Sequence, residues 1–454
     1  MRLSHIWPRT AELRGDVLHV AGVSVADLAR TYGTPLYVLD EDTFRMACRQ
    51  YRSTLASAYP GQSAVYYSGK SLLNLTVAKL AADEGCHLDV VSAAEIHLAG
   101  LAGIPASRLH LHGNGKPPQE LDFAIEHGIG AIVVDNLSEL ATIGAKAAAR
   151  GRPVGVVLRL APGIAASTHP HISTGLSTSK FGLSYDRLDD AIATFRDVPE
   201  LVLRGVHVHL GSQISDVEPY AAAIEFLLDA RQLLETALGV ACDEISPGGG
   251  LAAAYRDEDS EPDIAAFVTF LAQSTVASCA RRGMSLPRLV LEPGRSISAR
   301  SAIAVYSVTG EKRVPAGVDF DAEGYIHIDG GMGDNIRPAL YGARYEVIAA
   351  QKATQPRTRT VHIAGRYCES SDILVHGAKL PPLEPSDLIA MPGCGAYTLS
   401  MASNYNMTSR PALVMVKDGA HALVQRRETF DDLLRRDTGI GSVANPDISG
   451  KEAL

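Results

Sequence analysis

Short apolar segments alternate with longer alanine- and leucine-rich stretches between about residue 60 and residue 295 of the chain. The apolar segments have the length and the β-branched composition of strands, and the stretches between them have helical spacing. The predicted strands are AVYYSG, CHLDVV, RLHLHG, AIVVD, VGVVLRL, RGVHVHLGSQ, CDEISPGGG and LVLEPGR, which begin at residues 64, 86, 108, 131, 154, 204, 242 and 289. Repeated strand–helix units of this kind predict a parallel sheet closed into a (β/α)8 barrel of the TIM type.

The pattern changes after about residue 296, where short β-rich runs such as SAIAVYSVTGEKR, YIHIDGG, RTVHIAG, LIAMPG and ALVMVKDG are separated by Gly and Pro turns. The opening segments DVLHVAGV and PLYVLDEDTF have the same character, and RRETFDDLLRRD near the end predicts a charged surface helix. We therefore predict an α/β protein in three parts. Residues 1–44 add strands to a β-rich domain, residues 45–295 form the barrel, and residues 296–454 form the C-terminal β-rich domain.

Charge and composition narrow the possible partners. The net charge of −9 and the absence of a basic run disfavour nucleic acid. The six cysteines lack the spacing of metal ligands, so we expect no metal site and no disulfide framework, and a reducing cytoplasm suits them best. No apolar run of about 18 residues and no signal-peptide pattern is evident, which disfavours a membrane.

Polar and glycine-rich motifs fall at the carboxyl ends of the predicted strands, where TIM-type barrels carry their active sites. Lys70 follows the first strand, and a lysine amine there can form a Schiff base with an aldehyde cofactor, although a single lysine is more often a solvated surface charge. Gly248, Gly249 and Gly250 let backbone amides approach a phosphate, or simply make a tight turn. Ser212 could add a hydroxyl donor to the same phosphate.

The motif EPGR supplies a carboxylate and an arginine after the last predicted strand. Placed against the pyridine nitrogen of pyridoxal phosphate, Glu292 would keep that nitrogen protonated, whereas the alternative is a structural salt bridge. His209 could stack on the cofactor ring, and His207 points in a similar direction two residues earlier, so one of the two could be a core histidine. Arg295, next to Gly294, is suited to a phosphate or a carboxylate.

Eight motifs in this order resemble the pyridoxal-phosphate-dependent diaminopimelate decarboxylases, which have the alanine-racemase-like fold of a barrel plus a β-domain. They are YYSGK, HISTGLSTSKFG, HVHLGSQ, GGG, EPGR, DGGMGDNIRPALYGA, CESSD and GAYTLSMASNYN, and the resemblance runs from about residue 30 to about residue 430. The wider fold type shares the barrel motifs alone, whereas CESSD and DNIRPALY point to the diaminopimelate branch.

The resemblance implies a role for each matching residue. Lys70 would hold pyridoxal 5'-phosphate, His209 would stack on its ring, and Glu292 would pair with the ring nitrogen. The other cofactor-binding residues implied are Ser212, Gly248, Gly249, Gly250, Gly294, Arg295 and Tyr397. After the loss of CO2, Cys368 in CESSD would supply the proton that replaces it.

The resemblance also assigns the far end of the substrate. Arg295, Arg337 and Tyr341 would bind the distal carboxylate, Glu369 would bind the distal amine, and Tyr397 would lie near both cofactor and substrate. In this family Cys368, Glu369 and Tyr397 reach the site from the neighbouring subunit, so a homodimer is implied.

The sequence thus leads to the hypothesis of a cytoplasmic enzyme that converts meso-2,6-diaminopimelate to L-lysine and CO2, the last step of lysine biosynthesis. SLLN after Lys70, LAAAY after the glycines and GRYCESSD around Cys368 depart from the commoner family pattern. A related decarboxylase acting on another amino acid with a polar distal end therefore remains the alternative. A racemase of this fold is expected to place a cation rather than Glu292 at the ring nitrogen, and a silent homologue to have lost Lys70 or Cys368.

Overall fold

The computed structural model describes residues 1–163, 180–315 and 317–438, and these form two compact units. The β unit comprises Met1–Asp42, Tyr255–Asp259 and Arg300–Leu454, and the barrel unit comprises Thr43–Ala254 and Ser260–Ala299. Most of the motif HISTGLSTSKFG, residues 171–179, lies outside the described residues. The structure therefore does not test the prediction made from this motif.

The described chain contains the following strands and α-helices. In chain order the strands are β1 (Glu12–Arg14), β2 (Val17–Val20), β3 (Val23–Ser24), β4 (Leu36–Asp40), β5 (Ser63–Ser68), β6 (His87–Val90), β7 (Leu109–Leu111), β8 (Ala131–Val134), β9 (Val154–Arg159), β10 (Leu201–His207), β11 (Glu244–Gly248), β12 (Arg288–Leu291), β13 (Ala302–Arg313), β14 (Gly324–Ile328), β15 (Ile348–Ala349), β16 (Arg359–Ala364), β17 (Ile373–Leu380), β18 (Leu388–Met391), β19 (Ala412–Lys417) and β20 (Ala420–Gln425). The helices are α1 (Val25–Tyr32), α2 (Glu41–Ala58), α3 (Leu75–Asp83), α4 (Ala93–Leu101), α5 (Pro118–Glu126), α6 (Leu137–Arg150), α7 (Leu188–Asp197), α8 (Glu218–Leu238), α9 (Ile264–Arg282), α10 (Arg295–Ser298), α11 (Arg337–Tyr341) and α12 (Phe430–Leu434).

The predicted barrel is confirmed. Strands β5 to β12 close into a ring in which β12 pairs with β5, and every neighbouring pair is parallel. Each predicted apolar segment contains one of these strands. Strands of such a barrel are covered on both faces, so their sequences are nearly continuous apolar runs. All of their carboxyl ends therefore lie at one end of the barrel, where the polar motifs follow.

Local sequence signals set the ends of the barrel helices. The side chains of Asn74, Ser92 and Asn136 accept backbone N–H bonds at the starts of α3, α4 and α6. Gly151 and Gly239 adopt left-handed conformations at the ends of α6 and α8, which a residue without Cβ does at little cost. These signals fix the residues at which the helices begin and end.

Helix α9 departs from the expectation that the chain has no long apolar run. It is 19 residues long with a mean hydropathy of 1.3 over its most apolar window, so by length and composition it could cross a membrane. It packs against α8, however, with Phe267, Val268 and Leu271 buried. The apolar residues of α9 thus belong to the helical layer of the barrel unit.

The β-rich domain is also confirmed, and the N-terminal segment completes it. Its main sheet runs β17-β16-β14-β13-β4-β19-β20, and β18 pairs with both β13 and β15. Strand β4, from the segment PLYVLDEDTF, lies between β13 and β19. Strands β1, β2 and β3 form a separate three-stranded sheet. Ala21 and Gly22 both have positive φ and turn β2 back onto β3. The segment DVLHVAGV therefore does not enter the main sheet.

Candidate active site

Lys70 lies just beyond β5, in the single helical turn Gly69–Ser71, and its side chain is exposed. The backbone before it is fixed by Ser68, whose hydroxyl donates to Asp89 Oδ2 at 2.7 Å and to the carbonyl of Glu292 at 3.1 Å. The hydroxyl of Ser71 donates back to the carbonyl of Ser68 at 2.9 Å. Lys70 therefore presents an exposed side chain from a backbone that these hydrogen bonds hold.

His209 follows β10 and is half-buried. Burial, together with the charges of Lys70 and Arg159, lowers the pKa of His209 well below its usual value. The ring is accordingly neutral at physiological pH. A neutral imidazole near a lysine can stack on an aromatic ring without adding a second positive charge.

The glycines that end and follow β11 pack closely against neighbouring backbone. A Cβ at Gly248 would lie 2.7 Å from the carbonyl oxygen of Val208 and 2.9 Å from His209 Nδ1. A Cβ at Gly249 would collide with the carbonyl of Glu292, and one at Gly250 would lie 2.6 Å from the carbonyl oxygen of Gly211. Gly248 and Gly250 also have positive φ. These positions therefore require glycine, the residue type that phosphate-binding loops use.

Glu292 lies at the end of β12 and is 6 % exposed. Its Oε2 accepts from His207 Nε2 at 2.9 Å, its Oε1 accepts from the Ser246 hydroxyl at 2.8 Å, and His112 Nε2 lies 3.5 Å from Oε1. Burial alone would raise the pKa of Glu292, but the imidazoles of His207 and His112 lower it well below its usual range. Glu292 is therefore a carboxylate, held in place by donors from neighbouring strands.

Three buried polar atoms at these strand ends have no hydrogen-bond partner among the described residues, namely Asp89 Oδ1, His112 Nε2 and His207 Nδ1. Together with the glycine loop and the ionised Glu292, they fit a polar aromatic cofactor with a phosphate group. A metal suits the site less well. The ligand atoms of His110, His112 and Glu292 spread over distances up to 4.8 Å, whereas the edges of a tetrahedral zinc site are about 3.3 Å.

Arg295 and Ser212 form a pair within the barrel unit. The Arg295 Nε and Nη2 atoms each lie 3.0 Å from the Ser212 hydroxyl oxygen, and the arginine is 7 % exposed. Gly294 packs against the turn that carries Lys70, since a Cβ there would lie 3.0 Å from the Cβ of Ser68. The structure thus brings these three residues to the same strand ends as Lys70 and Glu292.

The motif CESSD lies in the β unit, in a loop before β17. Cys368 and Glu369 are both exposed, and the Tyr405 hydroxyl donates to Glu369 at 2.5 Å. Buried Asp372 fixes the loop, because its carboxylate accepts from the backbone N–H of Tyr367 at 2.9 Å and of Met332 at 2.6 Å. The aspartate therefore ties CESSD to the loop that precedes α11.

We expect Asp372→Asn to destabilise the β unit by about 1–3 kcal/mol, since an amide nitrogen would face one of the two buried N–H donors. Turnover should fall with it, because the Cys368 loop loses its anchor. Denaturant unfolding and steady-state kinetics test this, with Asp431→Asn, which alters an exposed acid of α12, as the control. Unchanged stability would show that Asp372 is not an anchor.

Arg337 begins α11 and is 5 % exposed. It donates to the Tyr345 hydroxyl, and its guanidinium lies 4.5 Å from the ring centroid of Tyr255. Within the part of the chain that the structure describes, Arg337 has no carboxylate partner. Tyr341, at the end of α11, and Tyr397, with φ of 57°, are both half-buried. A buried guanidinium in this state can accept a carboxylate from a ligand.

Comparison with known proteins identifies the family. Residues 41–299 match the model of the pyridoxal-dependent decarboxylase, pyridoxal binding domain. Diaminopimelate decarboxylase from Synechocystis sp. is 39 % identical over 95 % of this chain and 93 % of its own, and that from Bacillus subtilis is 38 % identical over 92 % and 95 %. The chain belongs to the diaminopimelate decarboxylase family.

The solved structures support the same family. Diaminopimelate decarboxylase from M. jannaschii in complex with L-lysine superposes with a TM-score of 0.87 at 32 % identity, over 95 % of this chain and 98 % of that one. The resemblance and the pyridoxal phosphate cofactor predicted from the sequence are thereby confirmed. The individual site roles stay predictions.

The sequence reasoning for this diaminopimelate decarboxylase family member missed several residues around Glu292. It gave His112, Asp89, Arg159 and Ser246 no role in the site. Arg159 is 8 % exposed and lies 4.3 Å from the ring centroid of Phe181. The signal that could have found these residues is a polar residue at the carboxyl end of an otherwise apolar strand. The sequence does not show which residue of another strand such a side chain contacts.

Proposed function

We propose that this protein decarboxylates meso-2,6-diaminopimelate to L-lysine and CO2. The observation that carries the proposal is the ionised Glu292, held by His207 and Ser246 at the strand ends that also bear Lys70. When bound, pyridoxal phosphate supplies a protonated ring that withdraws the electron pair left by departing CO2. Such a ring needs a carboxylate at its nitrogen, and Glu292 is suited to that role.

The barrel residues bind and orient. Lys70 would hold the cofactor through its amine. His209 would cover one face of the ring, while Ser212, Arg295, Gly294 and the backbone of Gly248, Gly249 and Gly250 would hold the phosphate. The neutral state of His209 suits a stacking role, and the absence of Cβ atoms in the glycine loop suits phosphate binding.

The β unit supplies the proton and, together with Arg295 of the barrel unit, the distal contacts. Cys368 donates a proton to the α-carbon that has lost CO2, so that a C–H bond replaces the C–C bond. Arg337, Tyr341 and Arg295 bind the distal carboxylate, Glu369 binds the distal ammonium, and Tyr397 contacts cofactor and substrate. The lack of a carboxylate partner for Arg337 among the described residues supports its assignment.

Cys368→Ala is expected to lower kcat by about 10²- to 10⁴-fold, the usual contribution of a positioned proton donor. Cofactor absorbance and the melting temperature should stay the same, because the thiol is exposed. Rapid-quench measurement of CO2 release and lysine formation checks the role, with Cys279→Ala as the control. If the kcat of both variants equals that of the wild type, Cys368 is not the proton donor.

Arg337→Gln should raise the KM for meso-diaminopimelate about 100-fold, because a charge-assisted, bidentate contact is lost. The affinity for pyridoxal phosphate should not change. Arg344→Gln, which alters an exposed arginine near α11, serves as the control. A matching loss of cofactor affinity in Arg337→Gln would indicate a folding defect rather than a substrate contact.

Assembly and location complete the proposal. The exposed Cys368 and Glu369 suit a homodimer in which they serve the partner's site, as the family resemblance implies. All six cysteines are free thiols and five are buried, which suits the reducing cytoplasm. We retain the domain limits 1–44, 45–295 and 296–454 as part of the proposal, and we expect neither nucleic acid nor a membrane as partner.

The deciding experiment is CO2 release by the pyridoxal-phosphate-loaded protein. It should be measured with meso-diaminopimelate beside the other diaminopimelate stereoisomers, lysine, ornithine and arginine. We expect turnover with the meso isomer alone and lysine as the product. Activity confined to another amino acid would reject diaminopimelate as the substrate while keeping the decarboxylase chemistry.

A further inference from the structure

A cavity of about 940 Å³ opens among residues at the amino-terminal ends of the barrel strands. Gln62, Ser107 and Gly130 line it just before β5, β7 and β8, and Arg288 lines it at the start of β12. The strands are parallel, so this opening lies at the end of the barrel opposite Lys70, although one ligand atom of His110, on the cavity wall, lies within 4.8 Å of the carboxylate of Glu292. The proposed decarboxylation makes no use of it.

Two buried acceptors lie at the deep end of this cavity. Glu244 and His110 are 3 % and 4 % exposed, and both line the wall. Glu244 Oε2 accepts from Arg288 Nη1 at 2.9 Å, whereas Glu244 Oε1 has no hydrogen-bond partner among the described residues. His110 Nε2 lies 3.7 Å from that oxygen, too far for a hydrogen bond. One donor group placed between the two atoms could bond to both.

A positively charged donor suits these two acceptor atoms, even though Arg204, Arg231 and Arg288 also line the cavity. Burial lowers the pKa of His110 well below its usual value, so its ring is neutral and offers an acceptor nitrogen. Burial raises the pKa of Glu244 to about 7, chiefly because the carboxylate lacks solvation. An ammonium group at Oε1 would supply the missing donors and stabilise the ionised carboxylate.

Two oppositely charged side chains lie at the mouth of the cavity. Arg204 Nη1 and Asp243 Oδ2 are 3.6 Å apart, and their side chains are 51 % and 57 % exposed. An exposed pair at this distance is weak and is easily exchanged for ligand contacts. Arg204 can bind an α-carboxylate and Asp243 an α-ammonium, while Gln62 and Ser107 add neutral polar groups to the wall.

We propose that this cavity is a second ligand site that binds a basic α-amino acid with a terminal primary ammonium. The terminal ammonium lies between Glu244 and His110, and the α-carboxylate and α-ammonium pair with Arg204 and Asp243. The inference concerns binding and does not rest on the proposed decarboxylation.

Equilibrium dialysis of the pyridoxal-phosphate-loaded protein against radiolabelled L-lysine tests the proposal. The wild type should bind one more L-lysine per chain than Glu244→Gln, whatever the active site retains. Arg204→Gln should weaken that additional binding at least tenfold. This second variant alters an exposed side chain, so it keeps the test valid if Glu244→Gln fails to fold. Asp197→Asn, an exposed acid at the end of α7, should bind as the wild type does.

L-norleucine is the matched ligand control, because it has the same chain length without the terminal ammonium. It should not displace the additional L-lysine. Equal stoichiometry in the wild type and both variants would overturn the proposal and leave water as the occupant of the cavity. Displacement by L-norleucine as effective as that by unlabelled L-lysine would overturn the assignment of Glu244 and His110 to an ammonium.

Discussion

Replacing Lys70 by alanine is expected to abolish covalent attachment of pyridoxal phosphate and to lower kcat by about 10⁴-fold or more. Lys70 stands on a turn fixed by hydrogen bonds of Ser68 and Ser71, and its own side chain is exposed. The substitution therefore removes the amine without disturbing the packing of the barrel. The fold should survive, and the melting temperature of the cofactor-free protein should be that of the wild type.

The absorption band of lysine-linked cofactor and borohydride trapping followed by peptide mapping measure this directly. Lys79→Ala is the matched control, since Lys79 is an exposed lysine on α3 whose ion pair with Asp83 is solvated. A labelled peptide that still appears in Lys70→Ala would assign the attachment to another lysine. Loss of the band in both variants would point to a general effect on the barrel.

The barrel could be predicted because its strands are easy to recognise in the sequence. A strand such as AIVV in β8 is buried at every position, so its apolar run is continuous and its ends are clear. The same logic fails at β20, where AHALVQ is almost entirely exposed and shows no apolar face. It also fails at β17, where Gly377, with φ of 65°, interrupts the strand pattern.

The sequence indicated candidate residues of the site but not the contacts between them. Lys70, the three glycines and Glu292 each suit a cofactor, but each also has a structural alternative, so the prediction rested on the order of all the motifs. The contacts of Glu292 with His207 and Ser246 depend on the register of β10, β11 and β12. Register around a closed barrel is a property of the tertiary structure, and no spacing along the chain reveals it.

Because strand register places His207 and Ser246 against Glu292, replacing this glutamate even by glutamine, which has nearly the same shape, should affect the enzyme. We expect Glu292→Gln to lower kcat by about 10²- to 10³-fold, because a neutral amide cannot hold the proton on the ring nitrogen. Cofactor should still attach, since Lys70 and the glycine loop are unchanged. The variant should also lose stability, as the glutamine presents an N–H to Ser246 or to His207, where the carboxylate accepted two donors.

Glu139→Gln separates these two effects. Glu139 is also a buried carboxylate of the barrel unit, but it pairs with Lys116 at 2.7 Å rather than with the residues around Glu292. Both variants should unfold at lower denaturant concentrations, yet only Glu292→Gln should lose turnover in the folded, cofactor-loaded state. Single-turnover kinetics on the loaded proteins make the comparison. Equal kcat values in the two variants would mean that Glu292 acts through stability alone, and the proposed role of its charge would be wrong.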